Sequence, residues 1–362
     1  MPRMRMPKSS EHGAPAAAKK GTMGRLLKLL FSQNKGLLAI IVICILISGI
    51  TGVMSSVFLS NVLTNLNDGL KLIRNDGLSP ASAWAQVYPT LIKILAIMGI
   101  VYASSIIASF TYTRLMATLT QKFLHQIRTG MFNKMQSYPI RFFDTHKTGD
   151  IMSVYTNDTD ALRQLVSQSI PQMISSSVSI ITLLVLMLKF SIWLLIVILL
   201  GLVVMMLVTG KIGGNSAKFF MRQQISLGKE EGYVQEMMQG QKVIKVFCHE
   251  EQSKKGFDER NDQLCKDATS ANSFANVLMP IMGNLGNLLY VLVAFAGGLL
   301  VVLGARNLTI TGLQPYDPAA FLIVIMSFLP ISKQFTGQIS QCSQQLNSIV
   351  MGLAGASRIF DL

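Results

Sequence analysis

The sequence predicts an all-α membrane protein with six transmembrane helices and two long helical hairpins on the cytoplasmic side. Half of its 362 residues are hydrophobic and 14% are charged, against roughly 25% charged in a soluble domain. The apolar residues form blocks near 20 residues long, the length of helix that crosses a bilayer. Lys and Arg are concentrated in alternate connections between these blocks.

The formal net charge is +14. A nucleic-acid-binding protein would carry such an excess on a polar face interleaved with aromatic side chains. Here the basic residues flank the apolar blocks, which is the distribution that orients a membrane protein. The expected partner of this charge is therefore the lipid bilayer and not a nucleic acid.

The chain is predicted to begin with a disordered basic tail, residues 1–22, rich in Pro, Ala, Lys and Ser. Residues 23–35 then show apolar side chains at helical spacing, with Arg25 and Lys28 off the apolar stripe. This pattern predicts an amphipathic helix in the membrane interface whose cations point towards lipid headgroups. The apolar positions are Met23, Leu26, Leu27, Leu30 and Phe31.

Six apolar blocks follow within residues 36–362, and each is predicted to span the membrane. They are Leu37–Leu63, Leu91–Thr113, Ile170–Leu188, Ile192–Thr209, Val277–Leu303 and Ala319–Gln341. The first is longer than the apolar core of a signal peptide and no convincing cleavage site follows it, so we expect it to be retained. The short interval Lys189–Ser191 predicts a tight turn at one membrane face.

The connections predicted to be cytoplasmic hold 25 Lys and Arg residues, and the opposite connections hold 4. Because cytoplasmic flanks collect basic residues, both termini are predicted inside a plasma or inner membrane. The segments near Asn67–Tyr88, Lys189 and Asn307–Pro318 are predicted outside.

Two cytoplasmic segments keep helical patterns beyond the bilayer. Between Leu115 and Tyr138 apolar side chains recur at helical spacing, and such a helix would reach about 36 Å from the membrane. Turn residues follow up to Asp150, and a second hairpin, Lys211–Asn272, is predicted to bend near Gly240. Unstructured loops would not keep an apolar stripe, so these hairpins suggest a soluble partner that pushes on the membrane helices.

Three stretches carry a resemblance to a known family. They read YPIRFFDTHKTGDIMSVYTND from Tyr138 to Asp158, EMMQGQKVIKVFCHEE from Glu236 to Glu251, and ASRIFDL from Ala356 to Leu362. In order, they resemble the first intracellular loop, the second intracellular loop and the end of the transmembrane half of an ABC exporter, of the multidrug or lipid half-transporter type. Val154 departs from the pattern, since the family commonly has Arg there.

The resemblance implies that Gly149–Thr156 and Gln239–Val246 contain two short coupling helices that seat in ATPase domains. A crosswise helix at the tip of a rigid hairpin converts rotation of a docked domain into movement of the spans. The residues expected to couple are Thr148, Gly149, Asp150, Ile151, Asn157, Asp158, Gln239, Gly240, Lys242, Val243 and Phe247.

No nucleotide chemistry and no catalytic residue is expected within the chain. A P-loop needs G-x-x-x-x-G-K-[ST], but Gly210-Lys211 is followed by Ile212 and Gly228-Lys229 by Glu230. ATP and Mg are therefore expected on a nucleotide-binding domain after Leu362 or on another polypeptide. A second transmembrane half is the other expected partner, as a homodimer or a heterodimer. No set of metal ligands is present, so no metal site is expected.

Several polar side chains fall within the predicted spans and are candidates for a substrate cavity. Lys333 follows Pro330, and a charge at mid-bilayer costs roughly 2.5–3.5 kcal/mol on insertion scales, so Lys333 either faces water or lies nearer an interface. Glutamine side chains recur on one face of the same span. Two asparagine side chains lie in span 5, and hydrogen bonds between helices of the bundle would also explain their presence there. These amides are Asn284, Asn287, Gln334, Gln338 and Gln341, with Gln345 beyond them.

The leading hypothesis is an ATP-driven exporter of amphipathic or hydrophobic compounds, such as drugs, lipids or peptides. A proton-coupled transporter of the same architecture is an alternative, although no His or carboxylate falls within the predicted spans. A third hypothesis is a membrane scaffold whose hairpins only dock a cytosolic protein. The amides on one face of span 6 disfavour it, because a scaffold has no need for a hydrated bundle interior.

Overall fold

The computed structural model describes residues 21–33, 35–75, 79–145 and 148–361, so nearly all of the predicted tail lies outside the described residues. The described chain is helical apart from one small pair of strands. It forms two compact units, which we call the main unit, residues 21–195 and 293–361, and the second unit, residues 196–292. The part of the chain that the structure describes contains six helices long and apolar enough to cross a membrane, as predicted.

The main unit begins with an amphipathic helix and a first span that is broken in the middle. The helices are α1 (Thr22–Gln33), α2 (Lys35–Thr51) and α3 (Ser55–Asn75). The predicted first span lies within one candidate span, Lys35–Arg74, but its helix is interrupted, since residues 52–54 form a turn in which the Gly52 and Val53 N–H groups donate to the Ser48 and Ile50 carbonyls. A glycine within an apolar block readily leaves helical geometry.

The second span continues far beyond the membrane in one 57-residue helix, α4 (Pro80–Gln136). Helix α3 ends at Asn75 and α4 begins at Pro80, so much of the segment near Asn67–Tyr88, predicted to lie outside, is helical. The predicted apolar stripe is confirmed, because Leu119, Phe123 and Met131 are buried while the charged side chains between them are exposed.

Short helices and irregular turns return the chain to the membrane as the third span. They are α5 (Ile140–Thr145), α6 (Thr148–Ser153), a first π-helical turn (Val154–Asp158), α7 (Thr159–Gln164), a second π-helical turn (Leu165–Ser169) and α8 (Ile170–Phe190). Ser191 is extended and α9 (Ile192–Gln239) starts directly after it, which confirms the tight turn.

The second unit is a long helical hairpin. It consists of α9 from residue 196, α10 (Gln241–Val246), and the first part of α11 (Glu250–Val302). The predicted bend near Gly240 is confirmed. Close to the membrane the two long helices approach closely, since a Cβ at Gly201 would lie 2.3 Å from a Leu289 methyl carbon.

The outer end of the main unit carries the only strands among the described residues, β1 (Leu308–Thr309) and β2 (Gly312–Leu313), which pair antiparallel. Gly312 has a φ of +113°, which a glycine adopts without strain. The Ile310 N–H donates to the Leu188 carbonyl at 3.0 Å, and Asn307 Nδ2 donates to the Phe190 carbonyl at 2.8 Å. The hairpin, which we did not predict, is thus fastened to the α8–α9 turn.

The last helix, α12 (Pro318–Asp361), contains the sixth span and continues towards the cytoplasmic side. Its end packs into an apolar core shared with α1, α2, α4 and α7. Leu26 of α1, Leu162 of α7 and Ala356 of α12 are fully buried in this core. The N-terminal helix, the first hairpin and the end of the chain are therefore one packed body.

Candidate coupling and substrate sites

The tip of the first hairpin presents short helices with exposed apolar side chains. The aromatic rings of Tyr138 and Phe142 stack at 4.4 Å between centroids, and Phe143 packs edge-on against Phe142 at 5.5 Å. These contacts turn the chain out of α4. Beyond them, Ile140 is 80% exposed and Met152 of α6 is 54% exposed. An exposed apolar patch on a helical tip is typical of a protein-binding surface.

The residues predicted to couple in this first tip do not form one surface. Thr148, Gly149 and Asn157 are exposed, whereas Ile151 and Asp158 are buried. The Asp150 side chain lies outside the described residues. The first group is available to a partner, and the buried pair instead belongs to the body of the hairpin.

An ion pair with a buried carboxylate joins the first hairpin to the end of α12. Asp158 is 2% exposed, and Arg358 donates from its guanidinium to the Asp158 carboxylate. A buried carboxylate is costly unless it is paired. The pair therefore fastens the segment just after α6 to the last turns of the chain.

Two glycines of α12 allow this close packing. A Cβ at Gly352 would lie 2.6 Å from Leu165 Cβ, and a Cβ at Gly355 would lie 3.2 Å from the Asp158 carbonyl oxygen. Any larger residue would push α12 away from the π-helical turns. At Gly355 α12 thus lies directly against the hairpin backbone, and at Gly352 it lies against the Leu165 side chain.

The N-terminal helix also packs on the end of α12. The Arg25 guanidinium lies over the Phe360 ring, 4.7 Å from its centroid, a favourable cation–π geometry. Arg25 thus contacts the end of α12 and is exposed, and the orientation of the cations of this helix towards headgroups stays a prediction. No local sequence pattern indicated this contact, because Phe360 lies 335 positions after Arg25 in the chain.

The stem of the second hairpin is held by one tyrosine. Tyr233 of α9 donates to the Ser253 carbonyl at 2.9 Å, and Arg260 of α11 stacks on its ring at 4.1 Å. A Cβ at Gly256 would lie 2.5 Å from the tyrosine oxygen, so α11 approaches closely there. Nearer the membrane, hydrogen bonds from Ser226 and Gln263 lower the pKa of Asp267.

The tip of the second hairpin is almost fully exposed. The predicted residues Gln239, Lys242, Val243 and Phe247 are exposed, and Gly240 is half-buried at the bend. Val243 and Phe247 expose 60% and 67% of their surface. Cys248 follows with a φ of 55°, which reverses the chain into α11. This tip, like the first, offers apolar side chains to a partner.

The candidate cavity residues divide between the two units. In the main unit, Gln334 donates to the Gly52 carbonyl at 3.0 Å, in the break of the first span. Gln338 is half-buried and Lys333 is exposed, without an ion-pair partner among the described residues. In the second unit, Asn284 and Asn287 are both exposed on α11.

Gln341 takes part in a polar cleft that was not predicted from the sequence. It accepts a hydrogen bond from Gln172 of α8 at 2.9 Å. Both line a cleft of about 650 Å³ between α4, the α7–α8 segment and α12, together with Gln345. The amide spacing on α12 predicted one wall of this cleft, and nothing in the sequence identified the other two.

Residues 38–313 match the family described as the ABC transporter transmembrane region. The chain belongs to this family. The match covers nearly all of the first five predicted spans and both predicted hairpins, so the exporter-type resemblance and the all-α, six-span fold are confirmed.

Curated relatives of this ABC transporter region carry names that mention ATP binding or ATP dependence. The chain is 27% identical over 362 residues to the uncharacterized ABC transporter ATP-binding protein YfiC of Bacillus subtilis, covering 99% of this chain and 55% of the relative. It is 28% identical over 302 residues to a fatty acid ABC transporter ATP-binding/permease protein of Mycobacterium bovis, covering 83% and 44%. An ATP-dependent lipid A-core flippase of Syntrophus aciditrophicus is 25% identical over 257 residues, covering 70% and 40%. The chain spans about half the length of these relatives.

In this ABC transporter region, the sequence predicted the positions of the two hairpin tips, but it did not predict the contacts that connect the hairpins to the spans. Short helices lie in both predicted coupling segments, and their coupling role stays a prediction. Val154, where the family commonly has Arg, is half-buried against the core shared by α1 and α12. An apolar side chain fits that position, whereas a guanidinium there would need a partner.

Proposed function

We propose that this chain is the membrane-embedded half of an ATP-driven exporter that moves amphipathic, lipid-like molecules out of the cytoplasm. Two of the relatives are named as a fatty acid transporter and a lipid A-core flippase, which supports lipid-like cargo. The observation that carries the proposal is the pair of hairpin tips. Each ends in a six-residue helix with exposed apolar neighbours, a surface suited to a docked domain.

The first tip has a direct connection to the sixth span. Asp158 follows α6 closely, and its ion pair with Arg358 joins it to α12. Since α12 also carries Lys333, Gln334 and Gln338, a displacement of the tip is transmitted to the candidate cavity wall. Packed interfaces of this kind switch as rigid bodies and do not deform continuously.

ATP can drive such a switch only if its binding and hydrolysis favour different conformations of the membrane helices. We propose that the tips seat in ATPase domains, which would hold ATP and Mg and provide this difference. A second transmembrane half, identical or related, would complete the cavity. Both termini would then face the cytoplasm, in agreement with the charge bias of 25 to 4.

The substrate preference follows from the side chains near the cytoplasmic ends of the spans. They are rich in amides and hydroxyls and poor in charge. Such a surface suits a molecule with an apolar body and a polar end, since amides both donate and accept hydrogen bonds. A strongly charged, fully water-soluble substrate would find few partners there.

The test is transport into inside-out membrane vesicles that contain the chain together with its ATPase domain. We expect uptake of a fluorescent fatty acid or lipid that requires ATP and stops with a non-hydrolysable analogue. Uptake driven by a pH gradient without ATP would instead identify a proton-coupled transporter. The absence of uptake under both conditions would favour a scaffold.

A matched pair of variants connects uptake to the second tip. Val243→Asp, at the exposed tip, is expected to reduce ATP-dependent uptake several-fold, because it places a charge in an apolar docking surface. Ile225→Asp, equally apolar and 53% exposed on the α9 stem, is the control and should transport normally. Equal losses in both variants would contradict a specific role of the tip.

A further inference from the structure

The polar cleft of the main unit lies at the level where three helices leave the bilayer. Its walls are α4, the α7–α8 segment and α12. The predicted cytoplasmic ends of the corresponding spans are Thr113, Ile170 and Gln341, and Thr113 and Gln341 themselves line the cleft. Its depth therefore corresponds to the headgroups of the cytoplasmic leaflet. Its volume, about 650 Å³, falls within the range of small-molecule sites.

The lining of the cleft has one charged residue and is rich in neutral hydrogen-bonding groups. Five glutamines contribute to it, and hydroxyl groups come from Tyr112, Thr113, Thr120 and Ser167. The glutamines are Gln121, Gln168, Gln172, Gln341 and Gln345. Amide and hydroxyl side chains pair well with hydroxyl groups, which also donate and accept.

Part of this hydrogen-bonding capacity is unused. Gln172 donates to Gln341 at 2.9 Å and to Ser176 at 3.3 Å, which leaves the Gln172 carbonyl oxygen and the Gln341 amide nitrogen available. These two groups are not buried, because the Gln341 side chain is exposed and the Gln172 side chain is half-buried, so a ligand in the cleft reaches both.

The charge in the cleft is compensated from within the chain. Arg163 is its single charged lining residue, and its Nε donates to the Asp160 carboxylate at 2.7 Å. The Asp160 carboxylate therefore already balances the Arg163 charge, so the cleft offers an anionic ligand no uncompensated cation. The apolar lining residues Met116, Ala117 and Pro171 offer contacts to the upper part of an acyl chain.

We propose that this cleft binds the uncharged, hydroxyl-bearing headgroup of a lipid in the cytoplasmic leaflet, such as a sugar or a glycerol. The amides bond the hydroxyl groups, and the acyl chains stay in the bilayer. This inference rests on the proposed export of lipid-like molecules and names the headgroup that the main unit recognises.

The test uses the full chain in phosphatidylcholine nanodiscs and three photoreactive lipids with identical acyl chains. One carries a glucosyl headgroup, one is phosphatidic acid and one is phosphatidylcholine, each with a diazirine at the start of an acyl chain. Cross-linked residues are identified by mass spectrometry. We expect the glucosyl lipid to label the cleft walls about fivefold more than either of the other two lipids. A fivefold difference in affinity corresponds to about one additional hydrogen bond.

Variants connect the labelling to the amides. Gln172→Leu and Gln341→Leu are each expected to reduce glucosyl labelling about fivefold, and Gln344→Leu is the matched control. Gln344 is exposed on α12 and bonds only Ser340 of its own helix. Gln121→Leu, on another wall, replaces either test variant if it fails to give a monodisperse nanodisc sample. Labelling unchanged by these substitutions would overturn the proposal.

Competition separates a lipid from a free sugar. Dodecyl maltoside should displace the glucosyl probe, and maltose at the same concentration should not. Equal competition by maltose would overturn the lipid assignment, and preferential labelling by phosphatidic acid would overturn the uncharged class. Because no ATPase domain takes part, loss of export with intact labelling would refute only the proposed function.

Discussion

Arg358 and Asp158, 200 residues apart, form an ion pair that joins the last turns of the chain to the first cytoplasmic hairpin. The Asp158 carboxylate is buried, whereas the Arg358 side chain is 56% exposed. The carboxylate therefore depends on this one cation for compensation. In the proposed mechanism, a force on the hairpin tip reaches α12 through this pair.

The first prediction concerns this pair. Arg358→Gln should leave the Asp158 carboxylate buried without a charge partner and loosen the hairpin by about 1–2 kcal/mol, near the lower end for charged hydrogen bonds because Arg358 is half exposed. The measurement is hydrogen–deuterium exchange of residues 154–169 in nanodiscs. Faster exchange is expected there and not in the second hairpin.

A double variant separates the pair from general damage. Arg358→Gln combined with Asp158→Asn should recover most of the protection, because the unpaired charge is then absent. Lys254→Gln, which breaks the exposed pair with Glu251, should change nothing measurable. Additive losses in the double variant would show that the two side chains do not interact.

The second prediction concerns the close approach of α12 to the hairpin. Gly352→Ala should destabilise the main unit by about 1–3 kcal/mol, since the new Cβ would meet Leu165 Cβ at 2.6 Å. Gly337→Ala on the same helix has open space around it and should be neutral or stabilising, because Ala favours helix over Gly. Thermal unfolding of the two variants compares them directly, and equal midpoints would contradict the packing described above.

The third prediction concerns the predicted outer face. Asp317 caps α12 by accepting from the Ala319 and Ala320 N–H groups at 2.9 and 3.2 Å, and Lys71 donates to its other oxygen at 3.1 Å. Asp317→Ala should cost about 1 kcal/mol, the usual value for a lost N-cap. Asp317→Asn keeps a capping oxygen and loses only the exposed ion pair with Lys71, so it should cost less. Exchange rates at the first turn of α12 measure both variants.

The same cap should weaken in acid. The Ala320 N–H and then Lys71 lower the pKa of Asp317, so the folded state binds this proton less readily than the unfolded chain. The stabilisation is therefore present above pH 4, near the unfolded pKa, and is lost as the pH falls through the lower folded pKa. Exchange at the first turn of α12 that is equally fast at pH 6 and pH 3, after correction for intrinsic rates, would contradict this.

The sequence predicted features that repeat locally and missed those that depend on distant partners. The apolar blocks and the stripe through Leu119 and Phe123 predicted the spans and the first hairpin, because burial on one helix face leaves a periodic pattern. Gly240 marked the second bend. In each case the physical cause lies within a few turns of one helix.

The remaining features have causes spread along the chain. Asp158 pairs with Arg358, Gln172 bonds Gln341, and Arg25 stacks on Phe360, and no local pattern connects such residues. The break of the first span at Gly52 leaves a carbonyl that Gln334 satisfies from α12. A single glycine in an apolar block is also compatible with an uninterrupted helix. Whether the helix breaks there depends on the residues packed around the glycine in space.

The most direct test of the central claim, that the hairpin tips receive an ATPase domain, uses two native thiols. Cys248 directly follows the second tip, and Cys265 lies 17 residues further along the α11 stem, about 26 Å away along a helix. Both are exposed. When the chain is combined with its ATPase domain, the rate of maleimide labelling at Cys248 should fall several-fold while that at Cys265 is unchanged. Unaltered labelling of Cys248 in a complex of demonstrated stoichiometry would contradict the account.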